Sequence, residues 1–291
     1  MSEAAERVRR LSFWTEPVDP KPLSGGITNT NFAVTHRGTR YFVRIGDDIP
    51  VHQVMRFNER AASEAAFAAG ISPELLHAEP GALVFAFIPG KTFGAADVRE
   101  EKNLTRIVPL LKRLHTEMVQ HIRGPALIFN VFHIARDYAH TLRDCGSRHV
   151  PRLQELLDLS DRLERDVGAI DLVYGHNDLL PGNFIDDGSR IWLVDWDYAG
   201  FNSPLFDLAN LASNNELSPD QESWLLETYY AWPPNASLRR RYSAMKCASL
   251  LRETMWSMVS EIHSSLDFDY KAYTADYLGR LERTVEAHGR L

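Results

Sequence analysis

Cysteine is scarce in this chain: two in 291 residues, Cys145 and Cys247. They lie far apart, match no metal-ligand spacing and read as reduced thiols, as expected of a cytoplasmic protein. No apolar stretch approaches the roughly 20 residues that span a bilayer, so membrane insertion is not expected. The opening MSEAAERVRR is charged and lacks an apolar core, which argues against a signal peptide. Positive charge is not in excess, since 32 Lys and Arg face 39 Asp and Glu for a formal net charge of −7. Nucleic acid and anionic membrane are therefore poor partners. The short basic run Arg239-Arg240-Arg241 reads as a solvated helix face. Internal repeats and low-complexity segments are absent as well. So are two phosphate-binding signatures. No helix is expected after Gly25-Gly26, which rules out the dinucleotide fingerprint, and Phe85 stands where a P-loop ending in Gly90-Lys91-Thr92 would need glycine. The composition is otherwise that of an ordinary globular protein, 44% hydrophobic and 24% charged, with ample length for a buried core.

What the chain does have is concentrated between Val173 and Asp207. His176-Asn177-Asp178 is followed, after four residues, by Asn183; Asp195 and Asp197 come shortly after, at the end of Ile191-Trp192-Leu193-Val194. Phosphoryl transfer needs a carboxylate to take the acceptor hydroxyl's proton, and an amide and a carboxylate to hold magnesium against the phosphates. The H-x-D-x4-N spacing sets Asp178 and Asn183 on one tight loop. The β-branched and aromatic run reads as a buried strand delivering Asp195. If strand geometry persists, Asp195 and Asp197 face the same side. His176 reads as a structural brace for the loop rather than a proton carrier.

Along the chain, residues 1–20 read as a short helix and a proline-punctuated approach. Residues 31–35 and 40–45 form a β-hairpin pattern. Gly25-Gly26, just before it, suits a turn, and would also let backbone amides approach a phosphate. Arg44 lies in an apolar strand, where a cation needs a partner. Residues 51–69 read as an Ala-rich helix ended by Gly70 and carrying Glu59 and Glu64. Either a glutamate of this helix pairs with Arg44, or Arg44 points outward and Glu64 is solvated. Two more strands are expected at 75–78 and 82–88. After residue 95 the pattern is helical (103–118, 132–144, 152–167, 204–214, 220–229, 238–263, 270–287) apart from two short strands around Asp195. Pro109 implies that the first of these helices is kinked or starts later. The expected class is α+β in two lobes. A small β-rich lobe, residues 1–88, and a larger helical lobe, 89–291, would meet at a hinge near 85–94, with ligands at the junction.

The segments SGGITNTNF, YFVRIG, SEAAFAAGISPELLHAE, FIPGKTF, LLKRLHTEM, YGHNDLLPGNFI, LVDWDYAGFNSPLFDLANLAS and MWSMVSEIHSSLDFDYKAY together resemble the choline/ethanolamine kinase family. That family lies within the wider aminoglycoside-phosphotransferase and protein-kinase-like group, and the segments span residues 24 to 273 in the family's order; the resemblance makes 1–88 the nucleotide lobe and 89–291 the catalytic and acceptor lobe. The resemblance implies ATP and Mg2+ as cofactors and a small amino alcohol as acceptor. It assigns Asp178 as catalytic base, Asn183 and Asp195 as magnesium ligands, and Asp207 as the brace of the catalytic loop. Arg44, an arginine where most kinase-like folds have lysine, would place phosphates with Glu64 as its partner. Gly25 and Gly26 would cover the phosphates, and Phe87, Ile88 and Pro89 would take the adenine. Asp197 stands where the family usually has glutamate; it would assist the two magnesium ligands and belong to the substrate site. Trp256, Tyr270 and Tyr273 match aromatics of the ammonium cage, which works by cation–π attraction. Glu253 replaces another tryptophan there and suits an ammonium with N–H donors at least as well as a trimethylammonium. Packing of Trp256 and Tyr273 in the core is the other reading. A kinase of another hydroxyl compound, and a silent nucleotide-binding regulator, are the rival functions.

Overall fold

A computed structural model of the chain describes residues 2–23, 29–264 and 266–291. The N-terminal part runs α1 (Glu3–Arg9), β1 (Lys21–Leu23), β2 (Thr30–His36), β3 (Thr39–Ile45), α2 (Arg56–Ala68), β4 (Leu75–Glu79) and β5 (Ala82–Ala86). The five strands form one antiparallel sheet in the order β1-β2-β3-β5-β4. The β2–β3 turn is the two-residue Arg37-Gly38, both at positive φ (51° and 79°), whose twist matches that of the strands it joins. One face of the sheet (Phe32, Val34, Val43, Ile45, Val84) packs on Ala5, Val8 and Leu11 of the α1 segment. With a side-chain period of two, Arg44 between Val43 and Ile45 must project from the opposite face.

The helix expected over 51–69 is shorter. A 3-10 turn at Pro50–His52 ends at Gln53, whose φ of 59° breaks the spiral, and α2 begins only at Arg56. Its other end is as expected. Gly70 takes φ 67° and donates to the Phe67 carbonyl, while Ile71 donates to that of Ala66, a left-handed cap that favours glycine.

The rest of the chain runs β6 (Lys91–Thr92), α3 (Ala95–Arg99), α4 (Glu101–Glu117), α5 (Val131–Asp144), α6 (Leu153–Val167), β7 (Val173–Gly175), β8 (Phe184–Asp186), β9 (Ile191–Leu193), β10 (Gly200–Asn202), α7 (Pro204–Asn215), α8 (Pro219–Tyr230), α9 (Ala236–His263) and α10 (Tyr270–His288). The architecture is thus α+β, a small antiparallel sheet above a larger, mainly helical part. Helix α4 runs through Pro109 rather than starting after it. The expectation of two short strands after residue 95 falls short, because four are described there, β8 and β9 in one small sheet with β6, and β7 and β10 in another. Each of these strands has three residues or fewer, too few to print a periodicity. Helix α9 is buried almost continuously from Ala244 to Ser260, and α5, α6, α7 and α10 pack around it. Ala62, Ala65, Ala66 and Ile71 belong to this larger core, so α2 is held by both halves.

Candidate active site

Strand β7 delivers the loop that begins at His176. Its backbone is fixed by Asp207, in the first turn of α7, whose carboxylate accepts from the N–H groups of His176 (2.9 Å) and Asn177 (2.7 Å) and pairs with His115 Nε2 at 2.9 Å. Burial works to raise Asp207, but His115 and the His176 N–H outweigh it and hold this acid below the ordinary carboxylate range. Asn177 turns the chain at φ 66°, a conformation asparagine tolerates, and donates its amide to the carbonyls of Tyr198 (3.0 Å) and Gly200 (3.2 Å). His176 is fully buried and its pKa is lowered, chiefly by that burial. Nδ1 accepts from the Asp178 N–H at 3.2 Å and Nε2 faces the Val194 carbonyl at 3.0 Å. That pairing requires the neutral imidazole protonated at Nε2. Both ring nitrogens are committed, which is the geometry of a brace.

Asn183 donates from Nδ2 to the Asp178 carbonyl at 2.8 Å, which leaves its Oδ1 as the acceptor end of the amide. The Asn183 carbonyl in turn accepts from the Val194 N–H at 3.0 Å, one residue before Asp195. Strand geometry does not persist to that point. Strand β9 ends at Leu193, and Asp195 sits at φ 73°, a left-handed conformation rare for a residue with a side chain. Its Oδ1 accepts from Arg44 Nη1 at 2.7 Å. Burial would raise Asp195, but the charge and hydrogen bond of Arg44 hold it below its ordinary value. Asp178, half-buried, is pushed well above the usual carboxylate range by burial; Arg252 opposes this, whereas Glu253, Asp195 and Asp197 reinforce it. A carboxylate raised in this way holds a proton more tightly than a free one, as the acceptor of a hydroxyl proton should.

Three expectations need correction or fall out of reach. The partner of Arg44 is Glu59, not Glu64. Glu59, 1% exposed, lies 2.7 Å from Arg44 Nη1, while Glu64 is exposed and pairs with Arg60 at 2.9 Å. Five residues along a helix turn the side chain by roughly 140°, so only one of the two can face Arg44. Asp197, expected beside the metal ligands and the acceptor, has its carboxylate taken up by two arginines and an amide. It is buried, with Oδ1 accepting from Arg44 (3.2 Å) and Arg56 (2.7 Å) and Oδ2 from Asn29 Nδ2 (2.8 Å). Burial and the carboxylates of Glu59 and Asp195 push Asp197 up, while the two arginines pull it down. Gly25 and Gly26 lie outside the described residues.

Phe87, Ile88 and Pro89 follow β5 on the crossing toward β6, with the Arg40 guanidinium 3.8 Å over the Phe87 ring. At Gly90 a Cβ would meet the Asp186 carbonyl oxygen at 2.6 Å, so the crossing passes too close to β8 for any side chain. The four acceptor candidates come together on α9 and α10. Trp256 is buried, its Nε1 donating to the Tyr198 hydroxyl at 2.9 Å, with ring centroids 5.9 Å from Tyr270 and 6.2 Å from Tyr273. Glu253 accepts from the Tyr273 hydroxyl at 2.8 Å and from Arg252 at 2.7 Å. The Arg252 guanidinium lies 4.1 Å over the Tyr198 ring. The Glu253 carboxylate thus has its charge matched by its neighbour in sequence.

Sequence reasoning missed Arg56, Asn29, Arg252, Tyr198 and His115. Only Arg56 left a local signal, its i,i+3 spacing to Glu59. Among the described residues no three of His, Cys, Asp and Glu are gathered to hold a metal by themselves. Asn183 Oδ1 and the Asp195 carboxylate offer hard oxygen donors of the kind magnesium accepts when phosphate oxygens complete its shell, so the residues present fit that ion.

Comparison with known proteins adds an independent line. The profile of the choline/ethanolamine kinase family matches residues 21–226. Protein LicA of Haemophilus influenzae is 28% identical over 258 residues, covering 84% of this chain and 75% of its own length. A probable ethanolamine kinase of Arabidopsis thaliana is 26% identical over 286 residues, covering 86% and 75%. The crystal structure of a choline/ethanolamine kinase family protein from Mesorhizobium loti superposes with a TM-score of 0.78 at 25% identity, covering 98% of this chain and 94% of that one. With its fold, its loop and most of its length in agreement, the chain belongs to the choline/ethanolamine kinase family and is a small-molecule kinase acting on a hydroxyl group.

Proposed function

We propose that the chain transfers the γ-phosphoryl group of ATP, with magnesium, to the hydroxyl of a small amino alcohol, choline or ethanolamine. The observation that carries this reading is one linked set of atoms. Asn183 is tied by its side chain to Asp178 and by its carbonyl to Val194, and Asp195, next in the chain, is met by Arg44. Asp178 takes the hydroxyl proton as the oxygen attacks. Asn183 Oδ1 and Asp195 hold the metal, and Arg44, steadied by Glu59, faces the α and β phosphates. Bound magnesium supplies charge neutralisation on the transferring group. Phe87 and Ile88 take the adenine edge, and Gly25 and Gly26 cover the phosphates. Residues 1–88 act as the nucleotide lobe and 89–291 as the acceptor lobe.

Glu253, held between Tyr273 and Arg252, favours an acceptor whose ammonium can donate hydrogen bonds, because a carboxylate gains more from N–H groups than from methyl groups. Ethanolamine is therefore the preferred acceptor. Release of ADP in the presence of ethanolamine, choline and an aminoglycoside tests this. The reading expects turnover on ethanolamine first, choline second and the aminoglycoside least. Turnover confined to the aminoglycoside would replace it, and nucleotide binding without turnover on any acceptor would support a regulator instead.

A further inference from the structure

Arg56 opens α2 and, on sequence alone, is one more charge at a helix end. In the fold its side chain is only 13% exposed and every nitrogen is used. Nη1 meets Glu59 Oε2 at 2.5 Å and Asp197 Oδ1 at 2.7 Å, Nη2 meets Asn29 Oδ1 at 2.7 Å, and Nε meets the Asp47 carbonyl at 3.0 Å. Its backbone N–H donates to Asp48. Asn29 closes the ring by donating to Asp197 Oδ2. The neighbouring backbone is shaped around this contact, since a Cβ at Gly46 would lie 2.4 Å from Asn29 Oδ1 and 3.2 Å from Arg56 Nη2.

Arg44 is placed differently. A single nitrogen, Nη1, serves Glu59, Asp195 and Asp197 at once. Its Nε is buried with no hydrogen-bond partner among the described residues. Three carboxylates thus share two guanidinium groups. A metal–triphosphate would claim both Asp195 and the donors of Arg44, and Glu59 and Asp197 would then have to keep a cation of their own. Removing one partner from a buried ion pair is strongly unfavourable.

We propose that Arg56 is a positioning residue of the kinase: it keeps Glu59 and Asp197 paired while Arg44 turns from Asp195 to the phosphates, and through Asn29 it ties the start of β2 to the segment that carries Asp195. This rests on the ATP reading above. Arg56 itself touches neither substrate nor metal, and it acts through Arg44.

The test uses the full chain with MgADP as probe, followed by calorimetry, beside steady-state kinetics and thermal melting. Arg56→Gln should weaken MgADP binding at least tenfold and raise the KM for MgATP, with the KM for the acceptor within twofold of wild type. Arg56→Lys, which keeps the charge but cannot bridge two carboxylates and an amide, should fall between the two. A folded Arg56→Gln that binds MgADP within twofold of wild type would overturn the proposal, leaving Arg56 a merely structural residue. If Arg56→Gln does not fold, Arg56→Lys decides, and wild-type affinity in that variant overturns the proposal equally. Should the wild-type chain itself take no MgADP, the ATP reading fails and this inference fails with it, an outcome distinct from loss of the inference alone.

Discussion

Asp178 lies where burial and three neighbouring carboxylates oppose its ionisation and a single buried cation, Arg252, favours it. Its proposed role is to hold one proton for one step, so removing it should separate chemistry from binding. Asp178→Ala is expected to lower kcat about 10²–10⁴-fold, the usual worth of a positioned general base, with MgADP affinity nearly unchanged. Substantial residual turnover would withdraw the base assignment. Asp195→Ala should do the reverse and abolish the gain in nucleotide affinity that magnesium brings. Titrations of ADP with and without the metal measure that gain directly, and an unchanged gain would count against Asp195 as ligand. These two residues were legible in the sequence because their loop is local: His176, Asp178, Asn183 and Asp195 act within 20 positions of one another. Arg56 and Arg252 were not legible. Their partners Asp197, Asn29 and Tyr198 come from other elements, and no spacing along the chain records such a meeting. Glu64 shows the same limit from the other side, since choosing between two glutamates on one helix needed the rotation of that helix about its axis.

At the scale of elements, α1 shows how a short helix of marginal intrinsic stability is held in place. Its apolar side lies on the sheet, and Glu79 of β4 pins Ser12, three residues past its end. The Glu79 carboxylate accepts from the Ser12 hydroxyl (2.6 Å) and the Ser12 N–H (2.8 Å) and pairs with His77 (2.7 Å). The Ser12 hydroxyl, His77 and the Ser12 N–H together lower Glu79 to about 2. A carboxylate depressed in the folded state stabilises it fully above the unfolded value and loses that contribution as pH falls through the folded one. Wild type should therefore melt above Glu79→Gln at pH 7, with the gap closing between about pH 4.5 and pH 2. Parallel melting curves across that range would show that Glu79 does not pin α1. Elements of ten or more residues were readable because their apolar periodicity runs for several turns. Strands β6, β7 and β10 were not, being set by pairing with distant partners rather than by any pattern of their own.

Across the whole molecule, charge connects what the hydrophobic cores keep apart. One core lies between α1 and the sheet, and the other fills the helical part and takes in the apolar side of α2. Between them, Arg44 and Arg56 from the sheet side meet Asp195 and Asp197 from the helical side, all at 3.2 Å or less. The α+β architecture was legible from the change of pattern from strands to helices along the chain, whereas this ionic seam between the sheet and the helical part was not. The account stands on one claim, that Asp178, Asn183 and Asp195 close on a single metal–triphosphate and pass its phosphoryl group to an amino alcohol. The most direct measurement is ADP formed from ATP on the acceptor panel, with magnesium and with the metal chelated. The account predicts magnesium-dependent ADP release that rises with ethanolamine or choline; release indifferent to magnesium, or unmoved by either amine, would contradict it.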